Sequence, residues 1–332
     1  MIQQKPLRPL RSALVASAAI FALTLSACGS SADQKADDDA ATSPAESTGF
    51  PVVIEHEYGE TEIPDEPERI VALPTASFDP LISLGLEPVA FAADEQTLAQ
   101  MPWIKEHVTW EADGSLLAAG EINVEKIATY EPDLIIAPEY AADEKTWERL
   151  EDIAPTIIFS DTNASSWQDN LATIARATGS EAKVPGILSD YEQAVAKKTA
   201  DLGALDELTV NNLIYAPQIG GFGYAVPGSL LDLGLKLDDA QASAAAGDTI
   251  SAENIDQLDA DVLVIFDPTN ARASLEADPL FQELPAVKSG AVIWTDPKMG
   301  FATTAANGPL SLDFLFEQVE PALRAAMAAQ NS

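Results

Sequence analysis

Side chains suited to catalysis are scarce in this chain. Its 332 residues include two histidines, His56 and His107, and one cysteine, Cys28. A bare zinc or manganese site normally needs several His and carboxylates converging, so no resident metal is expected. No GxSxG elbow, HExxH helix, P-loop or Cys–His pair is present. "GGFG", Gly220 to Gly223, is glycine-rich but lacks the spacing of a nucleotide loop. Two carboxylates do stand out from the many, because they recur in matching places. Glu125 lies in "INVEKIATYEPDLIIA" (Ile122 to Ala137) and Glu253 in "ISAENIDQLDADVLVI" (Ile250 to Ile265). A carboxylate in a helix's first turn complements the dipole and contributes about 0.3–1 kcal/mol. The remaining chemistry-bearing side chains are aromatic and polar groups that follow short apolar runs, which suits binding more than turnover.

The elements that position these groups come next. Both repeated stretches read as one helix–turn–strand unit. Asn123 and Ser251 are the expected N-caps, Ile127 and Ile255 point to the core, and Asp133 and Asp261 open a buried strand. "FPVVIEHEYGETEIP" alternates as a hairpin around Tyr58-Gly59-Glu60 and leaves His56 facing solvent. "RIVAL", "PVAF", "DLIIA" and "PTIIF" are short buried strands, and "SSWQDNLATIARATG" is a helix from a Ser165 or Ser166 cap to a Gly179 stop. Later, "TVNNLIYA", "DVLVIF" and "GAVIWT" are strands. "ISAENIDQL", "ASLEADPLFQEL" and the closing "GPLSLDFLFEQVEPALRAAM" are helices, and "LDDAQASAAAGDT" is a loop. Strands alternating with helices imply an α/β fold with mainly parallel sheets. Residues 180–205 keep helical spacing for about twenty residues, roughly 30 Å, the length of a strut between two bodies. The division is therefore an N-terminal lobe at 50–179, a connecting helix at 180–205 and a C-terminal lobe at 206–332.

Composition restricts the partners. At 47% hydrophobic residues the chain can build real cores. A formal charge of −35 opposes binding to nucleic acid or anionic lipid headgroups. Residues 1–27 have a basic start (Lys5, Arg8, Arg11), then an apolar run from Ala13 to Leu25 too short for an ordinary membrane span. The run ends in "LSAC", Leu25 to Cys28, and there the sequence resembles a bacterial lipoprotein signal. Cleavage before Cys28 and its acylation would follow, and two or more acyl chains anchor a protein stably. Removing 1–27 takes away three positive charges and no negative ones, leaving about −38. Residues 28–49 are small, polar and acidic, the composition of a flexible tether. Acidity and tether together favour a Gram-positive surface over a Gram-negative periplasm.

A family likeness emerges from several stretches taken in order. "YGETEIPDEPERIVAL", "DPLISLGLEPVAF", "EINVEKIATYEPDLIIA", "LEDIAPTI", "ISAENIDQLDADVLVI", "DPLFQELPAVKSGAVIW" and "GPLSLDFL" resemble the substrate-binding lipoproteins of iron–siderophore and cobalamin importers. The likeness runs from about Val53 to Leu315. It implies two α/β lobes on one long helix, with the ligand between them. It implies capture of a ferric siderophore, with haem or cobalamin as alternatives. It also implies delivery to the permease of an ATP-driven importer by a monomeric, non-enzymatic protein without a cofactor. Glu125 and Glu253 match the family's lobe carboxylates that dock on basic permease residues. Two lobes on a stiff helix close only slightly, so a largely pre-formed cleft is expected.

Ligands of open α/β sheets bind beyond the carboxyl ends of the strands. The residues there are Ser77 and Phe78 after "RIVAL", Trp110 in "HVTWEADGSL", and Tyr140 after "DLIIA". Gln218, Phe222 and Tyr224 follow "NLIYA", Asn270 and Arg272 follow "DVLVIF", and Trp294, Lys298 and Phe301 lie at or after "GAVIWT". Rings offer rigid contact area. Arg272 and Lys298 are the only cations among them, and Arg272 is expected to face a common hollow with Tyr224. So few cations favour a neutral or weakly charged hydroxamate or mixed-ligand complex over a triscatecholate. Tyr224, Tyr140 or His107 could serve as an axial ligand if the cargo were haem.

Overall fold

The computed structural model describes residues 49–110, 112–118, 121–139, 142–159, 166–245 and 248–332. The leader, Cys28, the tether and Tyr140 lie outside them.

Apolar runs too short for helices form two sheets. The first has the order Ala90–Phe91, Ile70–Ala72, Leu134–Pro138, Thr156–Phe159, and every pairing is parallel. Its strands are buried along their whole length, as expected of parallel strands covered on both faces. The second sheet has the order Thr249–Ser251, Gly221–Tyr224, Thr209–Ala216, Val262–Phe266, Val292–Thr295, and Lys236–Leu237 pairs beside Thr209–Ala216. Its Gly221–Tyr224 strand runs antiparallel to both neighbours, so the halves match only in part.

Helix Val184–Thr199 lies between the two sheets in the chain. Its 16 residues span about 24 Å, shorter than the strut expected at 180–205. Residues 181–183 form a tight 3-10 turn before it, and residues Leu205–Glu207 another after it. One apolar core runs from Phe78 and Phe91 of the first half, through Trp167 and Tyr191, to Leu213, Ile265 and Leu315 of the second. A second core covers the other face of the first sheet around Val71, Ile135, Ile127 and Leu150. Sharing the larger core makes the described residues from 49 onward a single packing unit. Among the described residues no helix is long and apolar enough to cross a membrane.

The repeated sequence unit folds alike where it meets the sheet and differently in its helix. Asp133 accepts the backbone N–H of Glu68 and of Arg69, each at 2.8 Å. Asp261 accepts the N–H of Thr209 at 2.8 Å and its hydroxyl at 2.9 Å. Each aspartate thus anchors the start of a neighbouring strand. Asn123 caps helix Val124–Ala128 by accepting the Lys126 N–H at 3.1 Å. Ser251 makes no such bond, because it is paired in a strand and the segment Ala252–Gln257 is a 3-10 turn broken at Asn254.

Other expectations are corrected. "ASLEADPLFQEL" is two helices, Arg272–Glu276 and Pro279–Glu283, because Pro279 holds Asp278 extended, where its side chain caps Leu280. The Ala-rich loop contains helix Asp239–Ala242, capped by Asp238. His56 is half-buried, with Nε2 3.0 Å from Thr61 Oγ1 and its ring edge-on to Trp147, and burial lowers its pKa.

Candidate functional site

Three strands of the second sheet, Thr209–Ala216, Val262–Phe266 and Val292–Thr295, run parallel and end on the same side. A cavity of about 620 Å³ opens there. Strand ends supply Ile214, Phe266 and Thr295 to its wall, and the Tyr224–Val226 segment supplies a second side. Helix Pro297–Gly300 and the wide turn Phe301–Ala305 add Gly300, Phe301, Thr303 and Thr304. From the first half, Ala76 reaches the same wall.

Local bonds explain how the wall is held. Asn212 donates its side-chain amide to Val226 O, while its backbone N–H donates to Gln241 Oε1 at 2.8 Å. Gln241 in turn donates to Ala225 O at 2.8 Å, so the second side is tied to the sheet. Gly228, at φ +50°, lets the backbone pass against the wide turn, where a Cβ would come within 1.8 Å of Thr303 O. Asp296 caps helix Pro297–Gly300 by accepting the Met299 N–H at 2.9 Å.

The wall is mainly apolar, and among the described residues that line it Asp296 is the one charged side chain. Phe266, 37% exposed, adds bare aromatic surface. Burial raises the Tyr224 pKa, assisted by the charges of Asp238 and Asp248. Its phenol therefore stays protonated near neutrality, a hydrogen-bond donor and not a phenolate. Among the described residues no group of three or more His, Cys, Asp and Glu comes together to hold a bare metal ion.

Of the residues singled out by sequence, Tyr224 and Phe301 line this cavity. Ser77 is fully buried beside it and donates to Leu73 O at 2.9 Å. Phe78 is fully buried and stacked on Phe91 at 3.5 Å, and Phe222 is fully buried against Tyr215 at 4.9 Å. Trp110 is half-buried with its ring edge-on to Phe91, and its Nε1 has no hydrogen-bond partner among the described residues. Gln218 and Asn270 are exposed on loops, Asn270 at φ +55°. His107 is exposed, its Nδ1 2.8 Å from Trp103 O. Lys298 sits half-buried on helix Pro297–Gly300 and is not part of the wall.

Arg272 and Tyr224 do not share a hollow. The Arg272 guanidinium lies 4.7 Å over the Trp294 ring and its Nε is 2.7 Å from Glu276 Oε1. Both residues face a separate hollow of about 380 Å³, beyond Asp296. An acidic neighbour four residues along the helix and an aromatic face hold the cation away from the larger cavity.

Sequence reasoning passed over Asn212, Ile214, Phe266 and the Thr303–Thr304 pair. One signal for them was available: Asn211 and Asn212 are polar residues inside an apolar strand. Glu125 and Glu253 are exposed, each two residues before a fully or almost fully buried isoleucine, Ile127 or Ile255.

A family model described as "Periplasmic binding protein" matches residues 70–299. Over 317 residues the chain is 28% identical to the Bacillus subtilis protein named "Probable siderophore-binding lipoprotein YfiY", covering 90% of this chain and 93% of that one. It is 27% identical over 280 residues to the ferric-anguibactin-binding protein FatB of Vibrio anguillarum, covering 79% and 85%. A solved periplasmic solute binding protein from Mycobacterium smegmatis superposes with a TM-score of 0.66 at 25% identity, over 83% of this chain and 98% of that one.

Proposed function

Because the chain belongs to the periplasmic binding protein family, we propose that it captures a ferric siderophore outside the cytoplasm and hands it to an ABC permease. The observation that carries this reading is the cavity of about 620 Å³ at the strand ends, apolar, ring-lined and without a cation among its described walls. That volume lies within the usual range of small-molecule sites, about 300–1,000 Å³. A pocket with no cation suits a neutral complex. A net charge of −35 further disfavours a polyanionic one. The preferred cargo is therefore a neutral ferric hydroxamate or mixed-ligand chelate. The names of two relatives, a siderophore-binding lipoprotein and a ferric-anguibactin-binding protein, support a ferric siderophore as cargo.

The remaining roles follow from this one. Cys28 carries the lipid anchor, and 28–49 tethers the body to the membrane. Glu125 and Glu253, exposed and one per half, are the permease-docking carboxylates. The protein works as a monomeric carrier and performs no chemistry on its cargo.

The test is a titration of the purified full-length chain by intrinsic fluorescence. The panel is a ferric trihydroxamate, a ferric triscatecholate, haem and cobalamin. Saturable quenching by the trihydroxamate at the lowest concentration is expected. Tighter binding of haem or cobalamin would overturn the choice of cargo.

A further inference from the structure

Two stretches far apart in sequence, "DPLISLGL" and "GPLSLDFL", meet in the fold. Asp79 opens the first, and Gly308 to Ser311 open the second. The Asp79 side chain is fully buried. Its Oδ2 accepts the Leu310 N–H at 3.1 Å across 231 positions of sequence, and its Oδ1 accepts the Ser83 hydroxyl at 2.9 Å. Gly308, at φ +153°, is what allows the approach, because a Cβ there would lie 2.5 Å from the Asp79 carboxyl carbon.

Residue Ser311 occupies the cap position of the closing helix Leu312–Gln330 but gives it no side-chain cap. Its hydroxyl is turned back on Gly308, accepting that N–H at 3.1 Å and lying 3.0 Å from Gly308 O. The segment leading into the helix thus receives an acceptor and a charge from the other half of the chain. Immediately upstream is the Phe301–Ala305 turn, which gives Phe301, Thr303 and Thr304 to the cavity wall. Trp103, again from the first half, donates its indole N–H to Ala306 O at 3.0 Å. Asn307 bonds Ser229 Oγ at 2.9 Å and Thr303 O at 3.2 Å.

We propose that Asp79 is a positioning residue for ligand capture: from one half of the chain it holds the Leu310 N–H on the approach to the closing helix of the other, and so sets the Phe301–Ala305 turn against the cavity. The proposal rests on the reading that this cavity holds the ligand. Ionised Asp79 accepts two donors and offers the negative charge that a helix start favours. Protonated, it loses that charge and one acceptor. Capture should therefore favour the ionised form.

The groups facing Asp79 leave its charge unbalanced. Tyr191 of helix Val184–Thr199 approaches it, but its hydroxyl is given to Asp232 at 3.0 Å, and burial first, then Asp232, raises the Tyr191 pKa. Asp190 shares a hollow of about 300 Å³ with Ser83, Tyr191, Pro309 and Leu312. Lys183 is bonded to Leu84 O at the far end of the Asp79 helix. Asp313, exposed, is paired with Lys198. No Lys, Arg or His forms an ion pair with Asp79 among the described residues. Burial pushes the Asp79 carboxyl up to about 7, so both forms are populated near neutrality. The raised value has a definite sign. The folded state binds the proton more tightly than the unfolded one, so Asp79's contribution to stability is full below about pH 4 and is lost as pH rises to about 7. Positioning has the opposite sign, because it strengthens as Asp79 ionises.

The test uses the full chain and the diamagnetic Ga(III) complex of a trihydroxamate. In the wild type the Leu310 and Ser311 amide resonances should titrate with a midpoint near pH 7. The complex should lower that midpoint and bind more tightly at pH 8 than at pH 6. In Asp79→Asn, affinity at pH 8 should fall about tenfold, the loss of one charge-assisted bond, and its pH profile should flatten. A residue that only supported the fold would leave the two pH profiles parallel, and that result overturns the proposal. Should Asp79→Asn not fold, the wild-type midpoint decides the question: a midpoint unmoved by the complex overturns the proposal alone. A wild-type chain that titrates but binds no complex overturns the reading of the cavity, and the proposal with it.

Discussion

Tyr224 and Phe301 reach one cavity from segments well apart in the chain, and both offer rings to whatever occupies it. Truncating either to alanine should weaken binding of a ferric trihydroxamate by roughly 10- to 100-fold, the scale of about 1–3 kcal/mol for a well-placed aromatic anchor. Fluorescence titration measures the change. Arg272→Ala should leave that affinity unchanged, because its guanidinium is already held by Glu276 and Trp294. At this scale the sequence marked ring-bearing positions after strands but could not sort them. Phe78 and Phe301 are the same residue type in similar places. One begins a helix that packs into the core and stacks on Phe91, while the other sits in a turn beside open space.

The repeated unit shows what local pattern decides and what it leaves open. Both aspartates anchor a neighbouring strand, as expected of an acceptor placed at a strand's start. The caps diverge, since only Asn123 makes its bond. Asn123→Ala should therefore cost about 1 kcal/mol of stability, whereas Ser251→Ala should cost nearly nothing. Urea unfolding of the two variants checks the contrast; equal losses would contradict it. Helix Trp167–Ala177 was legible to within a residue or two, and of the two serines read as its cap Ser166 serves, forming with Asp169 a reciprocal capping box that depends on local sequence alone. The split of "ASLEADPLFQEL" was also written locally, in Pro279.

Across the whole molecule, two exposed glutamates occupy matching positions of the repeated unit, one in each half. The double variant Glu125→Ala with Glu253→Ala should abolish iron-chelate uptake by cells while leaving chelate affinity in solution untouched. Uptake at the wild-type rate would remove the docking role. The shared core and the Asp79 and Trp103 bonds to the second half make large separation of the halves costly.

The alternation of strands and helices, the mainly parallel sheets, the acidic composition and the aromatic character of the loops were determined by sequence alone. Each depends on apolar periodicity, turn chemistry or composition, which act over a few residues. Tertiary structure decided which rings face the cavity, where Arg272 points, and that Asp79 meets Gly308 to Ser311. Those outcomes depend on how distant segments share limited buried space, and no short stretch of chain contains that information.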